Sequence, residues 1–148
     1  SYTEPHVVEL PSGKLICMER IEGDFGQAGV LPFSMMQSES TDGGKNWSTS
    51  KPLNFSGSPP HLLRHSSGAL ILTYGYRLVP FGQRVAISND EGATWEHDII
   101  LRDDGPDWDL GYPSTVEMGD GSLFSVYYQK VPGDSRSSLL WSCWQLPD

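Results

Sequence analysis

The sequence predicts an all-β fold made of β-propeller blades, about three four-stranded antiparallel sheets with the last one incomplete. Three observations carry that reading. One pattern occurs three times, a proline followed eight residues later by glycine and ten later by leucine: Pro5/Gly13/Leu15, Pro60/Gly68/Leu70 and Pro113/Gly121/Leu123. The copies stand 55 and then 53 residues apart, the length of one repeated supersecondary unit. A second pattern, Ser-x-Asp-x-Gly-x-x-Trp, occurs at Ser40 to Trp47 and again at Ser88 to Trp95. Finally, sixteen glycines and eleven prolines punctuate 148 residues without any sustained helical period, as expected of short strands joined by tight turns.

Each copy of the first pattern opens on a hairpin. The first strands are expected at His6 to Leu10, His61 to Leu63 and Ser114 to Met118. A glycine turn follows each, and the return strands run from Lys14 to Met18, Ala69 to Tyr74 and Ser122 to Tyr128. The first two copies continue with a second hairpin closed by the Asp-x-Gly-x-x-Trp turn. In that turn the aspartate can accept backbone N–H bonds, glycine takes the left-handed conformation and tryptophan packs back over the hairpin. The third copy adds one strand, Ser137 to Leu146, and lacks both the turn and a fourth strand. The blades therefore fall at about 1–55, 56–108 and 109–148 of a single propeller segment, 1–148.

Composition narrows the function. At 37% apolar residues the chain can bury a core, so a globular protein is expected. The net charge of −9 leaves no basic stripe for tracking phosphates, which argues against a nucleic-acid partner. No apolar run is long enough to span a bilayer and no basic-then-apolar leader opens the chain, so a soluble protein without a membrane partner is expected. Cys17 and Cys143 both lie in apolar, strand-like contexts and read as buried thiols, with a disulfide left open. No cluster has metal-ligand spacing, and no cofactor is expected. His6 and His61 occupy equivalent places after the repeat prolines, with Ser114 third, and read as repeat-derived polar groups; His65 and His97 read as turn residues. The acidic run Asp103-Asp104-Gly105-Pro106-Asp107-Trp108-Asp109 lacks an EF-hand pattern and reads as a mobile loop beside Tyr112, with Trp108 able to stack on a sugar.

The Ser-x-Asp-x-Gly-x-x-Trp turns resemble the Asp boxes of the sialidase (neuraminidase) superfamily of BNR-repeat proteins. Tyr112, nine residues before Gly121, resembles the segment carrying that family's tyrosine nucleophile, with Pro113 where many members have serine. Glu4-Pro5-His6-Val7-Val8-Glu9-Leu10 resembles the segment of the glutamate that activates the tyrosine, and Arg20, sixteen residues on, resembles a carboxylate-binding arginine. Arg84, 28 residues ahead of Tyr112, resembles another member of the arginine cluster, with Arg77 as the alternative. The resemblance covers the C-terminal half of a six-bladed sialidase propeller. The family's first arginine, in an Arg-Ile-Pro context, and its acid/base aspartate belong to the N-terminal half, and neither is found in this chain.

Strand direction gathers the same residues without reference to the family. If the first strand of each blade runs downward from the channel mouth, Glu4 and Tyr112 precede such strands, Arg20 ends a return strand and Arg84 opens a third strand, all at one rim. The Asp-box turns lie at the other end. A phenol titrates near 10 and needs an adjacent base to attack at neutral pH, which a carboxylate supplies. Guanidinium forks suit a carboxylate ligand through bidentate, charge-assisted bonds. The resemblance thus implies a sialidase-like glycoside hydrolase segment acting on a sialic-acid-like sugar; the alternative is a carbohydrate-binding or scaffolding module without turnover. Because three blades leave sheet faces uncovered, a homodimer completing the ring, or membership of a longer chain, is expected.

Overall fold

The computed structural model describes residues 1–22 and 30–147. They form eleven strands in three antiparallel sheets. Blade 1 comprises β1 (Tyr2–Glu9), β2 (Leu15–Ile21), β3 (Ser34–Ser40) and β4 (Lys51–Ser56), and blade 2 comprises β5 (Pro60–Arg64), β6 (Leu70–Tyr76), β7 (Gly82–Ser88) and β8 (Glu96–Arg102). Blade 3 has β9 (Gly111–Glu117), β10 (Leu123–Lys130) and β11 (Ser137–Trp144). The first two sheets run in chain order and the third reads β11-β10-β9, with no fourth strand. The three sheets stand side by side as propeller blades and do not close into a ring. Among the described residues no helix is long and apolar enough to cross a membrane.

The innermost strands pack in series, β1 on β5 and β5 on β9. Blade 2 is covered on both faces, so β6 and β7 read as nearly continuous buried runs rather than alternating ones. Alternation on β6 sends Leu70, Leu72 and Tyr74 into a core shared with Ile16, Met18, Met35 and Phe55 of blade 1. Ile71, with Ala69 two residues earlier, faces the other way, toward Leu123 and the partly buried Trp144 of blade 3. Fully burying each such side chain contributes about 1.5–3 kcal/mol, so these two seams hold the blades together.

The post-proline histidines act as staples. The Leu62 N–H donates to His6 Nδ1 at 3.1 Å, and the Thr115 N–H donates to His61 Nδ1 at 3.3 Å. One repeat position thus ties each inner strand to the next, and the two rings lie 4.4 Å apart between centroids. Both rings must be neutral on Nδ1 to accept. Burial lowers the pKa of each, His61 to about 4 with the charge of His6 adding to the effect. No group of three or more metal-ligating side chains occurs among the described residues.

The Asp boxes close the β3–β4 and β7–β8 hairpins. Asp42 accepts the Asn46 N–H at 2.9 Å and Asp90 the Thr94 N–H at 2.8 Å, while Gly44 and Gly92 both take φ 84°. The tryptophans differ. Trp95 packs against the blade 1 core and donates to Gln37 Oε1 at 3.0 Å, whereas Trp47 donates to its own turn at Gly44 O and stays half-exposed, because no neighbouring blade covers it among the described residues.

Three expectations need correction. Cys17 is buried, its thiol pushed up to about 11 by burial and then by Glu19, but Cys143 is exposed on the open face of β11, and both are free. His97 lies within β8, stacked on Phe55, rather than in a turn; His65 does sit in one, bonded to Ser67 and to the Gly121 carbonyl. The strands also begin earlier than expected, since β1 and β9 extend back through the residues ahead of their prolines.

Candidate functional site

Glu4 and Tyr112 stand at the same repeat position, immediately before Pro5 and Pro113. A proline cannot donate to the strand ladder, and the register slips at both places, between Thr3 and His6 on β1 and opposite Val126 to Tyr128 on β10. Both residues adopt φ 51°, a left-handed conformation costing roughly 1–2 kcal/mol for a residue with a side chain. The bulge turns each side chain out of the ladder and toward the rim. In blade 2 the equivalent place is Pro59, which brings neither acid nor phenol.

The two side chains meet. The Tyr112 hydroxyl donates to Glu4 Oε1 at 2.5 Å. Arg20, near the end of β2, reaches both partners through Nη1, at 3.2 Å from Glu4 Oε2 and 3.1 Å from the Tyr112 oxygen. Its Nη2 pairs with Glu22 at 3.2 Å. Asp24, another acid near Arg20 in sequence, lies outside the described residues. Tyr112 is 48% exposed, so the cluster opens to solvent. The phenol is held above its ordinary value, first by the hydrogen bond to Glu4 and then by burial and the carboxylate's charge, with Arg20 pulling the other way. It is therefore a neutral donor at pH 7, aligned to hand its proton to the carboxylate.

The other two arginines are placed differently. Arg77, in the loop after β6, is buried, with its guanidinium 6.0 Å from the centre of the Tyr112 ring. Its Nε donates to the Ser58 carbonyl at 3.2 Å and its Nη1 to the Trp108 carbonyl at 3.4 Å. Arg84 is also buried, lies over the Tyr76 ring at 4.7 Å and donates to the Pro80 carbonyl, outside the Tyr112–Glu4–Arg20 hydrogen-bonded group. Its Nη1 has no hydrogen-bond partner among the described residues.

Backbone proximity sets this end of the molecule. A Cβ on Gly75 would fall 2.8 Å from the Gly111 Cα and 2.9 Å from the Ser58 carbonyl oxygen, so β6 and β9 can approach this closely only with glycine there. That approach places Tyr112, one residue after Gly111.

The acidic run between β8 and β9 is anchored, contrary to the expectation of a mobile loop. Asp104 is held by Arg102 and by Gln129 Nε2, Asp107 by Lys130 at 2.6 Å, and Asp109 by the Tyr128 hydroxyl at 2.7 Å. Charge in sequence read as solvated here because the partners, Gln129, Lys130 and Tyr128, lie on a strand that follows the run by twenty residues. Tyr128 and Asp109 are a second phenol–carboxylate pair, absent from the sequence reading; the Tyr128 ring centre lies 5.9 Å from that of Tyr112. The signal available for it was the alternation of β10, which puts Tyr128 on the same face as Val126 and Phe124.

Fold and rim together define an Asp-box propeller segment. Residues 1–125 match the BNR repeat-like domain, and the chain belongs to that family. It is also similar to a crystal structure of a protein of unknown function from Dyadobacter fermentans, with a TM-score of 0.87 at 33% identity. The match covers 99% of this chain and 39% of that one, so the chain spans well under half the length of that relative. No curated protein matches the sequence.

Proposed function

We propose that the chain supplies one rim of a sialidase-like glycan site that takes a terminal sugar bearing a carboxylate. The observation that carries this reading is the Tyr112 hydroxyl bonded to Glu4 at 2.5 Å with Arg20 in contact with both. A phenol whose proton can pass to a carboxylate is a nucleophile that stays uncharged until it attacks. Such a nucleophile avoids the repulsion that an anionic carboxylate would meet beside an acidic sugar. Arg20, whose Nη1 reaches the same oxygen atoms while its Nη2 pairs with Glu22, is the guanidinium placed to receive the ligand's carboxylate in exchange for these acids. Arg77 supports the reading through its place against the Tyr112 ring, and Arg84, the other arginine assigned to the ligand, would have to turn its buried, unpartnered Nη1 toward the rim.

A specific observation favours a second reading, a glycan-binding module without turnover. Arg77 and Arg84 both spend donors on carbonyls of this chain, which leaves Arg20 as the guanidinium in contact with the Tyr112–Glu4 pair. Fluorophore release from an aryl sialoside, measured for the wild-type chain and for Tyr112→Phe, separates the two. Release that Tyr112→Phe abolishes supports the hydrolase; binding of the sialoside by both proteins without release supports the module; absence of both binding and release rejects the glycan site.

The remainder of the ring we propose to come from a second copy or from further polypeptide. Leu139 is 78% and Trp141 62% exposed on the outer face of blade 3, an apolar sheet face of the kind that a neighbouring blade covers. Light scattering of this chain is expected to show a dimer that Trp141→Lys dissociates, unless additional polypeptide provides the cover; a wild-type monomer rules out the dimer.

A further inference from the structure

Three hairpin turns of the chain close in one way. Leu10, His65 and Met118 each donate their N–H to the carbonyl four residues on, at 2.8, 2.9 and 2.7 Å, and accept the N–H of the glycine three residues on at 2.9 Å. Two of the three do so with an apolar side chain, so the turn does not require histidine. In blade 2 the ring at this place meets a hydroxyl and a carboxylate. His65 Nδ1 lies 2.8 Å from the Ser67 Oγ, and its Nε2 lies 3.0 Å from the Gly121 carbonyl oxygen and 3.3 Å from Glu117 Oε1. The Ser67 N–H donates to Nδ1 at 3.1 Å and the Gly121 carbonyl can only accept, so the ring carries its proton on Nε2 and turns a lone pair toward the serine. The Ser66 hydroxyl, and then the Ser66 N–H at 2.8 Å, hold the Glu117 carboxyl below its ordinary value, ionised beside the ring. His65 is buried, whereas Ser67 is exposed and lines a cavity of about 210 Å³ walled by Ala69, Ile87, Leu146 and Pro147. This cavity is remote from the rim, since Tyr112 stands near the start of β9 and Glu117 at its end.

We propose that Ser67, His65 and Glu117 form a second catalytic site, a serine esterase centre for neutral short-chain acyl esters, at the Asp-box end of the blades. It stands independently of the glycan reading of the rim. A nucleophile, a base within hydrogen-bond reach and a third group that orients the base are the parts such chemistry needs, on any fold. Ser67 Oγ bonds to the ester carbonyl carbon as its proton passes to His65 Nδ1. The tetrahedral intermediate then expels the alcohol, which takes that proton from Nδ1. A water repeats the sequence, adding to the acyl carbon while its proton goes to Nδ1; Ser67 Oγ leaves, recovers the proton and frees the carboxylic acid. Glu117 steadies the positive ring between these transfers. Asn89, on the cavity wall, brings the amide N–H that the oxyanion needs. The apolar walls and small volume suit a short acyl chain, and Glu96 on the same wall, with Glu117, repels an anionic one.

The test uses the 148-residue chain with two probes: an alkyl fluorophosphonate, which phosphonylates an activated serine with loss of fluoride, and p-nitrophenyl acetate. The proteins are wild type, Ser67→Ala, His65→Leu, Glu117→Gln and Ser12→Ala. His65→Leu copies the residue of blade 1 at this place, so it removes the base and keeps the turn, which far-UV circular dichroism checks. Ser12 is the equivalent turn serine of blade 1, without a histidine beside it. Mass spectrometry is expected to find one phosphonyl group per wild-type chain, on the peptide holding Ser67. Ser67→Ala and His65→Leu are expected to lower nitrophenolate release above the buffer rate about a hundredfold, Glu117→Gln to lower it less, and Ser12→Ala to leave it unchanged. A wild-type chain that takes no label, or takes it at another residue, overturns the site. Labelling without turnover of p-nitrophenyl acetate overturns the esterase, as do wild-type rates in Ser67→Ala, His65→Leu or Glu117→Gln.

Discussion

Acid should loosen this fold in a narrow and predictable window because of His61. The perturbation is a drop from pH 7.5 to pH 4.5. In the native chain the His61 ring must keep Nδ1 free to accept the Thr115 N–H, and half-burial lowers its pKa from 6.5 to about 4. In the unfolded chain the ring takes its proton near 6.5. Between those values the unfolded state binds a proton that the native state refuses, so stability is full above pH 6.5 and is lost as pH falls toward 4. The unscreened linkage amounts to about 3 kcal/mol, and solvent reaching the half-buried ring trims it to roughly 1–2 kcal/mol. Carboxylates with lowered values, such as Asp90 at about 2 and Asp42, lose their contribution below their unfolded value of 3.8, beneath this window. Urea unfolding of wild type and His61→Asn at both pH values isolates the term, since asparagine can accept the same N–H and does not titrate. The wild type should lose about 1–2 kcal/mol more than the variant between pH 7.5 and 4.5. Equal losses in the two proteins would refute the staple and its assigned protonation state.

Other perturbations address the seams and the rim. Leu72→Ala removes a fully buried side chain from the core between blades 1 and 2 and should cost about 2–5 kcal/mol in chemical denaturation. Gly75→Ala forces β6 and β9 apart where Tyr112 is positioned, so ligand affinity should fall together with the thermal midpoint; unchanged affinity would mean that the close approach does not place Tyr112. Asp90→Ala strips the second Asp box of its bonds to Ser88 and Thr94, at the end of the blade away from Tyr112. It should lower the thermal midpoint by a few degrees and leave glycan affinity unchanged, which differential scanning fluorimetry and calorimetry would report.

Much of this architecture is legible in the chain because repetition converts local signals into tertiary ones. Three prolines at one spacing fix three inner strands, and their shared register makes Glu4 and Tyr112 equivalent before any coordinate is known. That equivalence, with strand direction, is enough to bring Glu4, Arg20 and Tyr112 to one rim, where the structure joins them by hydrogen bonds. The arginines were less legible. Arg84 and Arg77 both open toward the same end, but which one approaches Tyr112 depends on the path of the loop between them, and loop geometry has no periodicity to read. The left-handed φ of Glu4 and Tyr112 was hidden for a similar reason, since residues before proline ordinarily favour extended conformations. The anchoring of the acidic run depended on cross-strand partners on β10, and the exposure of Cys143 on the absence of anything covering β11. Both are tertiary facts with no local trace.

The rim formed by Tyr112, Glu4 and Arg20 is tested most directly by a crystal structure of the chain grown with an unhydrolysed sialoside. The carboxylate should lie within hydrogen-bonding distance of the Arg20 guanidinium and the anomeric carbon should face the Tyr112 oxygen. A sugar bound at the Asp-box end, or one at the rim with its carboxylate turned away from Arg20, would contradict the assignment.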